Sequence, residues 1–244
     1  MLRFIIVASS VILFLIVTLP VQLIEWIIGK FNQNAKDYSS LRIVQWAFNV
    51  ILKITGVEVT VIGEENVPDE AVLFIGNHRS FFDILLTYVR CKRLTGYVAK
   101  KEMEKYPSLN TWMRYLYCLF LDRENPKEGL KTILKAIEYV KNGISICIFP
   151  EGTRNKGEEL SMLPFKEGAL KIATKTGCPV IPISMNNTAE IFENHFPKIK
   201  KTHVILEYGK PIYYKDLDKE TQKHFGAYCQ QIIQDTINKN ADLV

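Results

Sequence analysis

The chain has 244 residues, of which 48% are hydrophobic and 23% are charged, and its formal net charge at pH 7 is +5. A chain of this length and hydrophobicity can bury a sizeable core, which excludes an intrinsically disordered protein. The charge is mild and forms no dense basic cluster, so nucleic acid is not an expected partner. It is compatible with anionic lipid headgroups or phosphorylated substrates, and equally with an ordinary, slightly basic surface.

The cysteines are five in number and scattered along the chain. No two of them are separated by only two to four residues, which is the spacing typical of a zinc site. We therefore expect small buried hydrophobic residues in a reducing compartment, with neither disulfides nor a metal.

The amino-terminal segment carries no charged residue from Phe4 to Ile24, a run of 21 residues. A helix of this length reaches roughly 30 Å, the thickness of the hydrocarbon core of a bilayer. A cleaved signal peptide would have a shorter apolar region and a small-residue cleavage site, whereas this run continues into VQLIEWIIGK. We predict a retained membrane anchor, which either spans the bilayer or, if kinked at Pro20, lies in one leaflet.

A second apolar helix is predicted at residues 41–54, where the polar residues occupy one narrow stripe. Such a helix either packs into a large core or lies in a membrane interface, and its place after the anchor favours the membrane. We therefore predict that residues 1–55 form a two-helix membrane unit.

Residues 56–244 show short apolar runs typical of strands, alternating with helical stretches. The predicted strands are 57–63, 71–76, 96–100, 118–122, 145–150, 180–185 and 203–209. The predicted helices are 129–143, 165–177 and 219–238. This alternation predicts a single α/β domain with a largely parallel central sheet flanked by helices.

The motif NHRSFFD, residues 77–83, directly follows the second predicted strand. Ser80 and Asp83 have the spacing of a helix capping box, which by itself explains both residues. A carboxylate at Asp83 can also fold back to the imidazole of His78, and a histidine held by a carboxylate is the usual arrangement of a general base. Because the chain has no G-x-S-x-G nucleophile motif, we expect such a base to activate a hydroxyl that a substrate brings.

The motif FPEGTRN, residues 149–155, follows the strand at 145–150. Gly152 permits a tight turn, after which Thr153 and Arg154 would point donors into the same space as Glu151. The arginine fork suits a phosphate, and the alternative is an internal Glu–Arg pair.

Basic residues follow two further predicted strands: Lys100 and Lys101 end one, and Arg123 follows another. Each alone is typical of a solvated surface charge. Because ligands gather at the carboxyl ends of parallel strands, together they indicate a site for a phosphate-bearing alcohol beside a general base.

These motifs resemble those of the glycerolipid acyltransferase family over roughly residues 56–210. NHRSFFD matches its N-H-x-x-x-x-D signature, FPEGTR its third motif, FLDR the end of its second motif, and VIPIS its fourth. The similarity is greatest to the bacterial 1-acylglycerol-3-phosphate (lysophosphatidic acid) acyltransferases. One departure is Tyr117, three residues before Phe120, where the second motif usually carries a glycine.

The resemblance implies a reaction and a role for each motif residue. His78, oriented by Asp83, would take the proton from the sn-2 hydroxyl of lysophosphatidic acid. This hydroxyl would attack the thioester of acyl-CoA or acyl carrier protein directly, making phosphatidic acid without an acyl-enzyme, metal or organic cofactor. The residues implied in phosphate binding are Arg123, Glu151, Gly152, Thr153 and Arg154, with Lys101 and then Lys100 as secondary candidates; Pro182 would shape the acyl-binding region.

The resemblance also implies a location, because the acceptor is a membrane lipid and the acyl donor is soluble. We expect the enzyme at the cytoplasmic face of the cell membrane, anchored by its amino-terminal helices. The distribution of basic residues is compatible with this orientation, because three follow the first helix (Lys30, Lys36 and Arg42) and one, Arg3, precedes it.

Three alternatives remain at this point. In the first, the protein is an acyltransferase whose acceptor is another lysophospholipid or glycerol 3-phosphate. In the second, it is a membrane-bound phosphoester hydrolase that uses His78 and Asp83 with a metal. In the third, it is a non-catalytic lipid-binding protein. The hydrolase is disfavoured because the other three histidines have no metal-ligand spacing.

Overall fold

Strands form at all seven predicted places in the computed structural model, which describes residues 1–244. The strands are β1 (Glu58–Ile62), β2 (Leu73–Gly76), β3 (Thr95–Lys100), β4 (Leu119–Leu121), β5 (Ser145–Ile148), β6 (Val180–Asn186) and β7 (His203–Tyr208). The helices are α1 (Leu2–Val17), α2 (Leu19–Phe31), α3 (Gln33–Thr55), α4 (Phe82–Tyr88), α5 (Pro107–Tyr115), α6 (Pro126–Lys141), α7 (Lys171–Thr176), α8 (Lys219–Lys223) and α9 (Phe225–Lys239).

The strands make one sheet in the order β1-β7-β6-β2-β5-β3-β4. Every pair is parallel except β6 with β7, so the prediction of a largely parallel sheet is confirmed. The parallel run β2-β5-β3-β4 brings the carboxyl ends of four strands to one edge of the sheet, which is the edge where the sequence motifs lie.

Both faces of the sheet are covered, and side chains alternate between them as a strand requires. Leu73, Ile75 and Ile146 pack on one face with residues of α6, α7 and α9. Phe74 and Cys147 pack on the other face with residues of α3 and α5. The central strands are therefore apolar along their whole length, as expected of a parallel sheet between two helical layers.

The predicted helices differ from the observed ones mainly in their boundaries. The helix predicted at 129–143 is α6, which begins earlier because Asn125 caps it by accepting hydrogen bonds from the N–H groups of Lys127 and Glu128. The helix predicted at 165–177 begins as a 3-10 turn, Glu167–Leu170, before α7. The helix predicted at 219–238 is divided at His224 into α8 and α9.

The amino-terminal segment contains three helices where two were predicted. The apolar run from Phe4 to Ile24 is interrupted at Thr18, and α1 and α2 meet there at 47°. Pro20, in the first turn of α2, has no N–H to donate to the preceding turn, which favours a break at this point. No single helix of the chain has the length and apolar character needed to cross a membrane, whereas α1 and α2 taken together satisfy that criterion.

Helix α3 packs into the core, as one of the two interpretations of residues 41–54 proposed. Leu41 and Val44 are buried in the core under the sheet. Trp46 lies on the opposite side and is 63% exposed. The other exposed residues of this stretch are polar, namely Arg42, Asn49 and Lys53.

Candidate active site

The turn after β2 carries His78, and its position is set by hydrogen bonds across the sheet. The side chain of Asn77 donates to the carbonyl of Met185 at 2.8 Å and accepts from its N–H at 2.9 Å. Since Met185 belongs to β6, the end of β2 is held to its neighbour by a buried side chain as well as by the strand ladder. This explains the asparagine of the motif, to which the sequence analysis assigned no role.

Asp83 binds the imidazole and shapes the turn with the same oxygen. Its Oδ2 lies 2.8 Å from Nδ1 of His78 and accepts the N–H groups of Arg79 and Ser80 at 2.7 and 2.8 Å. Asp83 is fully buried, so this carboxylate has little freedom to move. With Nδ1 bound to Asp83, Nε2 is the ring nitrogen left for a substrate. The structure brings the two predicted residues together in the geometry of a general base.

Only half of the capping box predicted at Ser80 and Asp83 forms, and α4 begins after Phe81 without a side-chain cap. Asp83 reaches back to the N–H of Ser80 as a capping box requires, but Oγ of Ser80 accepts from the N–H of Phe82 at 3.0 Å rather than from that of Asp83. This half of the capping box and the histidine contact therefore coexist on one carboxylate.

The His78 ring also packs face to face on Phe149, with centroids 4.3 Å apart and an angle of 10° between the rings. Phe149 is the first residue of FPEGTRN, so the third motif supports one side of the imidazole. Together with Asp83, this stacking restricts rotation of the ring.

Glu151 connects the turns after β5 and β2. One carboxylate oxygen accepts the N–H of His78 at 2.7 Å, and the other accepts the N–H of Leu163 at 2.8 Å. Burial raises the pKa of this carboxyl above its ordinary value, although both amides oppose the shift. Glu151 faces inward, away from the exposed Thr153, so the shared space predicted for the two is not formed. The carboxylate is occupied by backbone groups and orders the site.

Gly152 takes the left-handed conformation, with φ at +75°, that the tight turn requires. A Cβ at this position would also lie 2.8 Å from Nζ of Lys166. The backbone conformation is the reason for glycine here, since the flexible end of the Lys166 side chain could move aside.

Arg154 forms an ion pair, but not with Glu151 as the sequence alternative proposed. Its Nη1 lies 2.8 Å from Oε1 of Glu193, and its guanidinium carbon lies 3.7 Å from the centre of the Phe81 ring. The sequence analysis missed Glu193, which lies about forty residues away in a 3-10 turn (Glu193–His195). No motif marks it.

Arg79 is a buried arginine that the sequence analysis also left without a role. Its guanidinium donates to the carbonyls of Gly157 and Glu158 at 2.9 and 2.8 Å and lies 3.2 Å from the carboxylate of Glu159. These contacts hold the loop that follows FPEGTRN against the turn after β2.

The cations predicted at β3 and β4 lie at the outer end of the same sheet edge. Lys101 pairs with Asp122 at 2.9 Å, and this hydrogen bond and the charge of Asp122 raise the pKa of the lysine. Arg123 is exposed and has no carboxylate within ion-pair distance. At about 4.8 Å per strand, β3 and β4 lie about 10 and 14 Å from β2.

Comparison with known proteins agrees with this geometry. The family model described as Acyltransferase matches residues 58–186, more than half of the chain. The chain belongs to the acyltransferase family. The resemblance noted from the motifs is thereby confirmed.

Individual relatives give the extent of the similarity. The 1-acyl-sn-glycerol-3-phosphate acyltransferase of Saccharomyces cerevisiae is 31% identical over 79% of this chain, which spans 64% of that protein's length. The protein of the same name from Helicobacter pylori is 31% identical over 83% of this chain and 87% of its own length. The crystal structure of the 1-acyl-sn-glycerophosphate (LPA) acyltransferase PlsC from Thermotoga maritima shares the fold, with a TM-score of 0.79 and 24% identity over 98% of this chain and 94% of that one.

Tyr117, the departure from the family's second motif, has a backbone conformation that glycine adopts more readily. Its φ is +59°, a left-handed conformation that costs a residue with a Cβ roughly 1–2 kcal/mol. Its hydroxyl donates to Asp37 of α3, and its ring packs edge to face on Tyr139 at 5.2 Å. Burial and Asp37 raise the pKa of the phenol to about 12. These contacts offset the strain and connect the turn before β4 to α3.

Pro182, the family's fourth-motif proline, lies inside β6 beside Ile75 of β2. Its carbonyl accepts the N–H of Gly209 at 2.8 Å. The residue is buried within the sheet, one strand away from the turn that carries His78.

Proposed function

We propose that this acyltransferase transfers an acyl chain from a soluble thioester to the sn-2 hydroxyl of 1-acyl-sn-glycerol 3-phosphate, making phosphatidic acid in phospholipid synthesis. The observation that carries the proposal is the contact between Nδ1 of His78 and the buried carboxylate of Asp83. No hydroxyl or thiol of the chain hydrogen-bonds to the His78 ring, so the nucleophile is supplied by the acceptor lipid. The names of the relatives support this choice of acceptor.

The reaction follows from the two ring nitrogens. Nδ1–H donates to Asp83, which leaves the lone pair of Nε2 to take the proton of the acceptor hydroxyl as its oxygen attacks the thioester carbonyl. Asp83 stabilises the imidazolium that forms. When the C–S bond breaks, the imidazolium returns the proton to the thiolate. A C–O bond has then replaced the C–S bond, and the histidine has its starting protonation.

The acceptor phosphate lies among the cations at the same sheet edge. Arg154 is held near the turn of His78, whereas Arg123 and Lys101 lie farther along the edge. The turn at Gly152 and Thr153 adds a backbone donor and a hydroxyl donor to these cations. Cations at two distances from the base suit an acceptor whose phosphate and hydroxyl are separated by a glycerol backbone.

The amino-terminal helices form the membrane-binding unit in this proposal, with residues 1–55 as anchor and 56–244 as acyltransferase domain. α1 and α2 expose large apolar side chains on one side, including Leu2, Ile12, Leu13, Ile16, Leu23 and Trp26. Their other side packs on α5, where Phe14 stacks on Trp112 and Gln22 donates to Ser108 at 2.9 Å. Because both helices pack alongside the catalytic half, we place them in one leaflet at the cytoplasmic face of the cell membrane.

The direct test mixes purified protein with lysophosphatidic acid and acyl-CoA and measures thiol release and phosphatidic acid. His78→Ala should lower the rate about 10²- to 10⁴-fold, the usual contribution of a general base. The matched control is His195→Ala, which removes another histidine paired with a carboxylate, Glu190, at 2.6 Å but outside the site. Unchanged thiol release in His78→Ala would rule out the assigned role.

Substrate panels separate the remaining choices. Replacing the acceptor by another lysophospholipid or by glycerol 3-phosphate identifies the preferred hydroxyl. Replacing acyl-CoA by acyl carrier protein, with the same acyl chain, identifies the donor. Lysolipid binding without any thiol release from either donor would favour a non-catalytic lipid-binding protein.

A further inference from the structure

Glu193 is a carboxylate outside the two motifs that contacts the turns of both, NHRSFFD and FPEGTRN. It follows β6 in the 3-10 turn Glu193–His195, and its side chain is 18% exposed. Oε2 accepts the hydroxyl of Ser80 at 2.6 Å. Oε1 accepts the N–H of Phe81 at 2.8 Å and Nη1 of Arg154 at 2.8 Å.

These three donors belong to two separate parts of the site. Ser80 and Phe81 lie in the turn that Asp83 shapes around His78, whereas Arg154 lies in the turn after β5. The guanidinium carbon also lies 3.7 Å from the centre of the Phe81 ring, so the arginine has a second contact on the turn of the histidine. A single carboxylate therefore sets the position of the arginine relative to the turn of the histidine.

This arrangement matters because one acceptor molecule must meet both groups at once. Its hydroxyl has to reach Nε2 of His78 while its phosphate reaches Arg154, and a small misplacement of either lowers the rate steeply. Only Nη1 of the arginine is bound to Glu193, which leaves the other guanidinium donors for the phosphate.

We propose that Glu193 is a positioning residue, which holds the Arg154 guanidinium at a fixed place relative to His78 so that acceptor phosphate and hydroxyl are engaged together. This inference rests on the proposed function. Glu193 does not touch the reacting atoms; it acts through Arg154 and through the turn of Ser80 and Phe81. A purely structural role would stabilise the fold without any specific connection to the acceptor phosphate.

The test measures kcat and KM for lysophosphatidic acid in Glu193→Ala, Glu193→Gln and the control Glu190→Ala. Glu190 lies three residues earlier and contacts Asn194 and His195 instead of the motif turns. We expect kcat/KM to fall about 10- to 100-fold in Glu193→Ala, mainly through KM, from the loss of charged hydrogen bonds and of alignment. Glu193→Gln, which retains an acceptor oxygen, should recover part of the loss, and Glu190→Ala should match the wild type.

A double-mutant cycle with Arg154→Ala gives the readout that a structural role would not change. If Glu193 acts through the arginine, Glu193→Ala should have a much smaller effect on kcat/KM in the Arg154→Ala background. With monoacylglycerol, an acceptor that lacks the phosphate, Glu193→Ala and wild type should transfer acyl groups at similar low rates. Additive effects in the cycle, or a lowered melting temperature with unchanged KM, would overturn the inference.

The outcomes also separate this inference from the proposed function. If the wild type transfers no acyl group to lysophosphatidic acid, the function fails; if it does and Glu193→Ala has the same KM, only the inference fails. Should Glu193→Ala not fold, Glu193→Gln carries the same cycle, since it preserves the shape of the side chain and removes its charge.

Discussion

The two halves of the sheet edge that carries the motifs are built differently. After β2 and β5, the polar groups are buried and bound to one another: Asp83 and Glu151 together accept five hydrogen bonds from the backbone and from His78. After β3 and β4, Lys101 and Arg123 are exposed, with one ion pair between Lys101 and Asp122.

This difference indicates a division of work. Buried carboxylates that are hydrogen-bonded to backbone groups permit few other arrangements, because breaking such a bond leaves an unpaired polar group in a low dielectric. Exposed cations are screened by water and salt and adapt at small cost. In the proposed function, the inner half would fix His78 and Arg154, and the exposed cations of the outer half would add a weaker, salt-screened attraction for the phosphate.

The largest effect is expected where the inner half touches the base. Asp83→Asn should keep an amide oxygen where Oδ2 accepts the N–H groups of Arg79 and Ser80, but it removes the negative charge that stabilises the imidazolium of His78. We expect kcat to fall about 10²- to 10⁴-fold with the fold retained. The control is Asp37→Asn, which changes another buried carboxylate, one bound to Tyr117. If Asp37→Asn lowered kcat as much as Asp83→Asn, the loss would not be specific to the carboxylate that contacts His78 in the inner half.

Glu151 tests whether the inner half is also a source of stability. Glu151→Ala leaves the buried N–H groups of His78 and Leu163 without acceptors, which should lower the free energy of unfolding by about 1–3 kcal/mol. Denaturant unfolding of variant and wild type measures this difference. A stability equal to that of the wild type would show that water replaces the carboxylate.

The same substitution has a defined pH dependence. Burial raises the pKa of Glu151 in the folded protein above its ordinary value of 4.5. The folded state therefore binds this proton more tightly than the unfolded state does. This contribution to the stability of the wild type is present in acid and is lost as the pH rises from 4.5 through the raised pKa. Glu151→Ala lacks the group, so its stability deficit should be larger in acid than at neutral pH. A deficit that grows towards neutral pH would contradict the assigned shift.

The smallest effects belong to the outer half. Arg123→Ala should raise KM for lysophosphatidic acid about tenfold, because Arg123 has no competing carboxylate. Lys101→Ala should raise KM by no more than about threefold. Lys101 is exposed and already paired with Asp122, so a phosphate must displace that carboxylate to bind, and exposed ion pairs contribute little energy. KM measured over a range of salt concentrations checks both, and both differences should shrink with salt. A larger effect at Lys101 than at Arg123 would reverse their order.

Local sequence spacing predicted the parts of the site that lie within one turn of chain. The contact of His78 with Asp83 spans five residues, and the strand ends that carry the motifs follow from apolar runs. Glu193 was not predictable in this way, since it meets Ser80 from more than a hundred residues away. The inward orientation of the Glu151 side chain was also not predicted, because it depends on the N–H of His78 in the turn after β2.

The amino-terminal segment shows the same limit. Its apolar composition predicted a membrane anchor, with a kink at Pro20 as one alternative, and α1 and α2 meet at an angle at Thr18. Thr18, at the break, accepts the indole N–H of Trp112 at 3.0 Å and donates to the carbonyl of Phe14 at 2.7 Å. A distant tryptophan therefore stabilises a break that the local sequence only permits.

The sequence by itself determined the class of fold, the order of its strands along the chain, the family, and the histidine–carboxylate pair. All of these depend on residue periodicity or on groups a few positions apart. The tertiary structure alone decided which strands are neighbours, which carboxylates face inward, and which cation lies beside the base. Those choices depend on contacts between segments far apart in the chain, whose positions are set only when both faces of the sheet are packed.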